Sequence, residues 1–276
     1  MRKLQIPAYR NIDAIPILTV EMLLPADSTQ RKIDQHQSQL IGCGDSRALR
    51  IGFADTAPSG TPLDPACIAA VHDAAHLCEQ LGHDVEQASP VYDAAALLRG
   101  FEMVFAANAM ANIARVTGGA LSPPGMVEPL TYALAQRGRE ITAATYILNL
   151  HALHRQSRRI AGFFESYDIW LTPTLAQTPR AIGHFDYRCD DVDEWTRRLA
   201  AYLPFTYPFN ITGQPAASVP LYWSEEGLPI GCQFAARYGQ EGLLLRLCAQ
   251  LERARPWFDR RAPPTKPLAP GGAQFD

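Results

Sequence analysis

The sequence predicts an α/β fold, and two stretches predict it. From Leu49 to Gln87, an alternating apolar segment, an amphipathic helix and a second extended segment follow one another on short links. That order is a βαβ unit, whose two strands run parallel. From Ala217 to Ala254, two extended segments flank a turn at Glu226-Gly227 and lead into a helix. This reads as an antiparallel hairpin backed by a helix.

Each element has its own signal. Met1 to Arg47 shows weak periodicity and a polar patch from Asp27 to Gln39. It reads as a poorly specified leader (1–47), with one helix near 28–40. Leu49, Ile51 and Phe53 alternate with Arg50 and Gly52, which predicts a strand. Asp64 before Pro65 is an N-cap followed by proline at the first helical position. The apolar residues Cys67, Ile68, Val71, Ala74, Ala75, Cys78 and Leu81 then fall on one helical face, and Gly82 sits where a C-terminal cap belongs. His83 to Gln87 reads as a short strand. Ala94 to Val116 is a second helix, apolar around much of its circumference, which predicts burial. Thr117 to Pro129 is a glycine- and proline-rich loop, and Thr142 to Ser166 a long helix with a basic middle at His154, Arg155, Arg158 and Arg159. Tyr167 to Thr172 reads as a buried strand ended by Pro173, 174–190 as an irregular connection, and Asp191 to Tyr202 as a helix whose acidic start suits its dipole. Ala217 to Tyr222 and Pro229 to Ala236 are the hairpin strands, Glu241 to Ala254 is the last helix, and Pro256 stops it. The stretch 263–276 is a Pro/Gly-rich tail.

Composition narrows the function classes. The chain has 276 residues, of which 47% are apolar and 19% charged, an ordinary globular balance. A net charge of −3 supplies no field for nucleic acid or an anionic membrane. No uninterrupted run approaches the ~20 apolar residues of a membrane span. The expected location is the cytoplasm. Six cysteines, Cys43, Cys67, Cys78, Cys189, Cys232 and Cys248, form no CxxC pair and read as buried free thiols.

Candidate chemistry is sparse. His72 and His76 are four apart on a helix, a spacing that could hold zinc, but Asp73 stands where a metalloprotease needs Glu and no third ligand is evident. A surface pair is the simpler reading, and no metal site is assigned. Neither Gly118-Gly119 nor Gly42-Cys43-Gly44 makes a nucleotide-binding fingerprint, and G-x-S-x-G is absent. Arg155, Arg158 and Arg159 could grip an anion, yet such a cluster is ordinarily a solvated face. The strongest candidate is the turn Asn210-Ile-Thr-Gly213-Gln214-Pro215, which leads into a strand. Asn210, Thr212, Gly213 and Gln214 are the candidate pocket residues. Asn210 and Thr212 could equally bond their own backbone.

Three ordered segments carry a family resemblance. They are LRIGF with PLDPACIAAVHDAAHLCEQLGHDVEQASP, then LTYALAQRGREITAATYILNLHALHRQSRRIAGFFESYDIWLTPTLAQTP, then FNITGQPAASVPLYWSEEGLPIGCQFAARYGQEGLLLRLCAQLERARPW. From Leu49 to Trp257 the chain resembles the C-terminal region of the amidase-signature family, serine hydrolases of amides. A reasonable neighbour is its bacterial branch with linear or cyclic oligoamide substrates, of the 6-aminohexanoate-cyclic-dimer hydrolase kind. The resemblance implies one mixed β-sheet flanked by helices, here incomplete over 48–262, since both halves of the family's chain contribute strands. It implies nucleophilic acyl transfer without a cofactor, by a serine, a second serine that relays a proton, and a lysine base. Those residues lie in the family's first half. No Ser-Ser pair occurs in this sequence, and its only lysines are Lys3, Lys32 and Lys266. No catalytic residue is therefore carried over. The expected partners are a small-molecule amide and a complementing catalytic chain or a second copy. The competing reading is a non-catalytic binding protein for an amide-bearing molecule.

Overall fold

A computed structural model describes residues 47–119, 121 and 125–260. The expected helix near 28–40, Cys43, all three lysines and the tail from 263 lie outside the described residues.

The strands are β1 (Arg50–Phe53), β2 (Asp84–Gln87), β3 (Ile169–Pro173), β4 (Ala216–Trp223) and β5 (Pro229–Ala236). They form one sheet in the order β2-β1-β3-β5-β4. β1 runs parallel to β2 and β3, while β5 runs antiparallel to β3 and β4. The sheet is mixed, as expected.

Two sets of helices cover it. Helix α1 (Pro65–Gln80) starts as its sequence signals require: the Asp64 carboxylate accepts from the Ala66 N–H, and Pro65 occupies the first turn. Together with α7 (Glu241–Ala254) it packs on the face formed by Ile51, Ile169, Leu171, Val219, Cys232 and Phe234. The opposite face carries Trp170 and Ala235. It packs against Leu97 of α2 (Ala94–Thr117), Leu153 and Ile160 of α4 (Ala143–Phe163), and Tyr207 and Phe209 of α6 (Tyr207–Thr212). A third cluster joins Leu130 and Leu134 of α3 (Pro129–Arg139) to Val192 and Trp195 of α5 (Val192–Tyr202).

Two polar contacts fix how the sheet begins. Asp168 accepts both arms of the Arg47 guanidinium, at 2.6 and 3.0 Å, and the Arg50 N–H at 2.9 Å. Burial alone would raise this carboxyl, but the Arg47 and Arg50 donors outweigh it and hold the pKa below the usual value. His83 ties the start of the βαβ unit to the last helix. Its Nδ1 accepts from the Leu49 N–H, so its Nε2–H donates to Gln250 Oε1 at 3.1 Å. Burial lowers its pKa and keeps it neutral.

The structure corrects several expectations. Helix α2 is less buried than its composition implies: only Ala94, Leu97, Gly100, Ala106 and Ile113 are buried, and Phe101, Val104 and Phe105 are partly buried. By length and composition this helix would suffice to cross a membrane, which counting uninterrupted apolar residues missed. Here it packs on α3 and α4. Helices α3 and α6 were not read from the sequence. The six residues of α6 are too few for an apolar period to register. Cysteines 67, 78 and 232 are buried, whereas Cys189 and Cys248 are only partly so.

Gly138 is where α3 meets α2. A Cβ there would lie 2.1 Å from the Ala106 carbonyl oxygen. Gly138→Ala must therefore push the helices apart, with an expected cost of about 2–3 kcal/mol in urea unfolding. His83 supplies a pH test. Its folded pKa lies below the ordinary 6.5, so the unfolded chain takes up the proton first. Its contribution is complete above that value and is lost as the pH falls through the folded pKa. His83→Gln keeps one acceptor and one donor but cannot titrate. The urea midpoint of this variant should change less between pH 7 and pH 5 than that of the unaltered chain.

Candidate functional site

The residues singled out from the sequence sit at the junction of α6 and β4. Asn210 and Thr212 do not lie on a tight loop, as expected, but in the last turn of α6. Gly213 (φ 69°) caps it, donating its N–H to the Phe209 carbonyl, a left-handed conformation that suits glycine. Asn210 is exposed. The Thr212 hydroxyl does not bond its own backbone: Thr212 Oγ1 and Gln214 Oε1 are both buried without a hydrogen-bond partner. Gln214 is 7% exposed. A buried acceptor left open costs roughly 1–3 kcal/mol, so each is a ready receiver for an N–H brought to it. The ring of the exposed Tyr238 lies beside Gly213.

A second polar group emerges only in three dimensions. On the sheet face carrying Trp170 and Ala235, the apolar side chains stop at the next register position. Thr172 pairs with Gln233, and Gln233 with Ser218. Thr172 and Gln233 are buried, at 0% and 5% exposure. The Gln233 amide donates to the Thr172 hydroxyl at 3.3 Å and to the Phe205 carbonyl at 3.1 Å, and Thr172 passes its own proton to the Pro173 carbonyl at 2.9 Å. Beside this satisfied floor, the Thr174 and Ser218 hydroxyls share a 2.6 Å hydrogen bond that reaches solvent. Gly231 lies below them, and a Cβ there would come within 2.4 Å of Ser218 Oγ. The pair sits at the carboxyl end of β3, the end of a parallel strand where α/β sheets commonly bind ligands.

The two groups are not brought together. Gln214 and Ser218 are four positions apart along extended chain, roughly 13 Å. Sequence reasoning found the first and missed the second, although polar Thr172 and Gln233 inside otherwise apolar strands were a usable signal.

Among the described residues the arrangement offers hydroxyls that can hydrogen-bond an amide, with no base beside them. A serine nucleophile needs an adjacent base, and among the described residues no histidine, lysine or carboxylate hydrogen-bonds to Ser218 or Thr174. Four of the described thiols are no substitute. Burial pushes Cys67 and Cys248 to about 11 and Cys78 to about 12, and it raises Cys232 as well. His72 turns to Asp55 at 3.0 Å and His76 to Glu79 at 3.3 Å. Among the described residues no three His, Cys, Asp or Glu side chains converge as metal ligands. Arg155, Arg158 and Arg159 point into solvent along α4.

Comparison with known proteins supplies the context. Residues 10–245 match the Amidase family, a match that begins inside the stretch read as a leader. The chain is 32% identical over 226 residues to the 6-aminohexanoate-cyclic-dimer hydrolase of Paenarthrobacter ureafaciens, covering 78% of this chain and 45% of that protein. It is 36% identical over 193 residues to the putative amidase AmiC of Mycobacterium bovis, covering 68% and 40%. The solved 6-aminohexanoate cyclic dimer hydrolase in complex with its substrate superposes with a TM-score of 0.73 at 31% identity, over 82% of this chain and 49% of that one. A bacterial aryl acylamidase of the amidase signature family shares the fold at 19% identity, with a TM-score of 0.63. The chain thus spans about half the length of the relatives it matches.

Gly231 gives the polar floor a direct test. Gly231→Ala should separate Ser218 from Thr174 and lower thermal and urea stability by about 1–3 kcal/mol. Adding Ser218→Ala to that variant removes one of the two crowded oxygens and should recover part of the loss. Simple additivity of the two changes would show that the hydroxyl pair is not strained by the new methyl group.

Proposed function

The chain belongs to the amidase family, and we propose that it is the substrate-shaping part of an amide C–N hydrolase, inert by itself. The observation that carries this reading is a polar floor without a base. The Ser218 and Thr174 hydroxyls face solvent at the end of β3, bonded to one another, while every lysine lies outside the described residues. In this reading the nucleophile and base come from the family half that the chain does not span. This part contributes hydroxyl donors and acceptors to a bound amide, and the open acceptors Thr212 Oγ1 and Gln214 Oε1 take N–H groups further along the molecule. A linear or cyclic oligoamide, with repeated amides at fixed spacing, is the substrate class that two separated polar groups would suit. The names of two of the relatives favour the same class. A non-catalytic amide-binding protein is the second reading, and the same lack of a base supports it.

Hydrolysis assays separate the two. The purified chain should not release product from 6-aminohexanoate cyclic dimer above background, since loss of nucleophile and base together costs roughly six orders of magnitude. Adding the N-terminal half of the Paenarthrobacter hydrolase should give turnover. Retained binding with no turnover in the mixture would favour the second reading. Turnover by the purified chain, abolished by one substitution within it, would overturn both.

A further inference from the structure

Helix α4 has two sides of different character. Leu153, Gln156 and Ile160 are buried, and Leu153 and Ile160 enter the core beside α2. On the opposite side Ala144, Ile147, Leu148, His151, Arg155 and Arg158 are all exposed. Their spacings of three and four place them on one stripe. The stripe begins apolar and ends basic. Ile147 and Leu148 are 49% and 68% exposed, and among the described residues they are the only exposed large hydrophobic side chains adjacent in sequence. Single exposed apolar residues are ordinary, whereas a pair on one turn of a helix is surface that gains by being covered. A carboxylate stands at the other end. Glu140 is exposed and lies where α3 ends, three residues before Ala143 opens α4. Neither Glu140 nor Arg155 joins any ion pair among the described residues. The surface therefore presents, in order, a negative charge, an apolar centre and a positive charge.

We propose that this stripe of α4 joins two copies of the chain. A contact about a two-fold axis pairs positions equally far on either side of that axis. An axis between Ile147 and Leu148 sets α4 antiparallel to its copy. Ile147 then meets the partner's Leu148, Ala144 faces the partner's His151, and Glu140 faces the partner's Arg155, once at each end. A parallel pair would instead set carboxylate on carboxylate and guanidinium on guanidinium, so the charges select the antiparallel arrangement. From Glu140 to Arg155 the contact runs about 22 Å, or four helical turns. That is the low end of specific interfaces, and the dimer is accordingly weak and concentration-dependent. An acidic peptide or an anionic membrane would suit Arg155 and Arg158 but would meet Glu140 with its own sign of charge. The stripe points away from the sheet, whereas the Thr174–Ser218 hydroxyls lie on it. The inference thus stands apart from the functional reading above.

Sedimentation equilibrium of the full chain tests this. An interface of this size should give a dissociation constant of roughly 1–100 µM. Leu148→Glu, which sets a carboxylate into the apolar centre, should raise it at least about 30-fold. Glu140→Arg or Arg155→Glu alone should raise it at least about tenfold, because like charges then face each other. The urea midpoints of these variants should move little, since all three side chains are exposed. The two charge variants mixed in equal amounts should form a heterodimer as tight as the unaltered dimer, each supplying the charge that the other has lost. The double variant should dimerise by itself again. A chain that stays monomeric at several times the upper concentration would overturn the inference. Association that Leu148→Glu leaves intact would place the contact elsewhere and overturn it as well. Failure of both the mixture and the double variant to recover would refute the antiparallel arrangement. Loss of the dimer on adding the N-terminal half of the Paenarthrobacter hydrolase, or on adding phosphatidylglycerol vesicles, would assign the stripe to that occupant instead of a second copy.

Discussion

Strand β3 is the constraint on which the molecule depends. All five of its residues are buried, which requires a neighbour on each edge and a layer on each face. The neighbours differ in direction, parallel β1 and antiparallel β5, and this makes the sheet mixed. Its side chains alternate between two cores: Ile169 and Leu171 toward α1 and α7, Trp170 toward α2, α4 and α6. The Asp168 carboxylate, just before the strand, binds Arg47 and the Arg50 N–H and so sets the register between β3 and β1. A slip by one residue would exchange the two cores.

The polar floor follows from the same alternation. Position 172 lies on the Trp170 face but beyond the reach of the helices that cover Trp170. A threonine there can be buried because Gln233, across the ladder, supplies a donor and the Pro173 carbonyl an acceptor. Thr172 and Gln233 are satisfied by each other and by the Pro173 and Phe205 carbonyls, leaving the Thr174–Ser218 pair to meet solvent. A fixed, satisfied underlayer beneath two free hydroxyls is a sound way to orient an amide. Among the described residues, nothing in this layer is a base that could take a proton from serine.

Much of the fold was legible in the sequence because its signals are local. The Asp64-Pro65 cap, the Glu226-Gly227 turn and the alternation from Pro229 to Ala236 each depend on neighbours in sequence, and each element appears where expected. What was not legible depends on distant partners. The six residues of α6 are too few to show a helical period, so Asn210 and Thr212 read as a turn. Nothing in the sequence singles out Gly138, whose value is the approach it gives α3 to Ala106. Ser218, Gln233 and Thr172 become a group only when β3, β5 and β4 lie side by side. The family resemblance found the right half of the right fold, but it could not reveal a polar floor that the family's catalytic motif does not include.

Helix α2 is the informative failure. An apolar circumference predicts burial all round, yet much of α2 stays half-exposed. The face beneath α1 and α7 holds a larger buried cluster, with Phe53, Tyr222 and Trp257 partly buried at its margin. Most of the buried polar atoms without partners fall on the other side, the exception being Trp223 Nε1 of β4, whose ring lies under Arg260 past the end of α7. Trp170 Nε1 and Tyr92 Oη border the α2 and α4 cluster, Trp195 Nε1 lies in the cluster of α3 and α5, and Thr212 and Gln214 follow α6. Unmet donors and acceptors, half-covered aromatic rings and an uncharged sheet edge are three independent costs, arising from hydrogen bonding, apolar exposure and strand pairing. The unmet donors and acceptors gather mostly on the side away from α1 and α7, whereas partly covered aromatic rings lie on both sides and β4 itself packs on α1 and α7 through Ala217 and Val219.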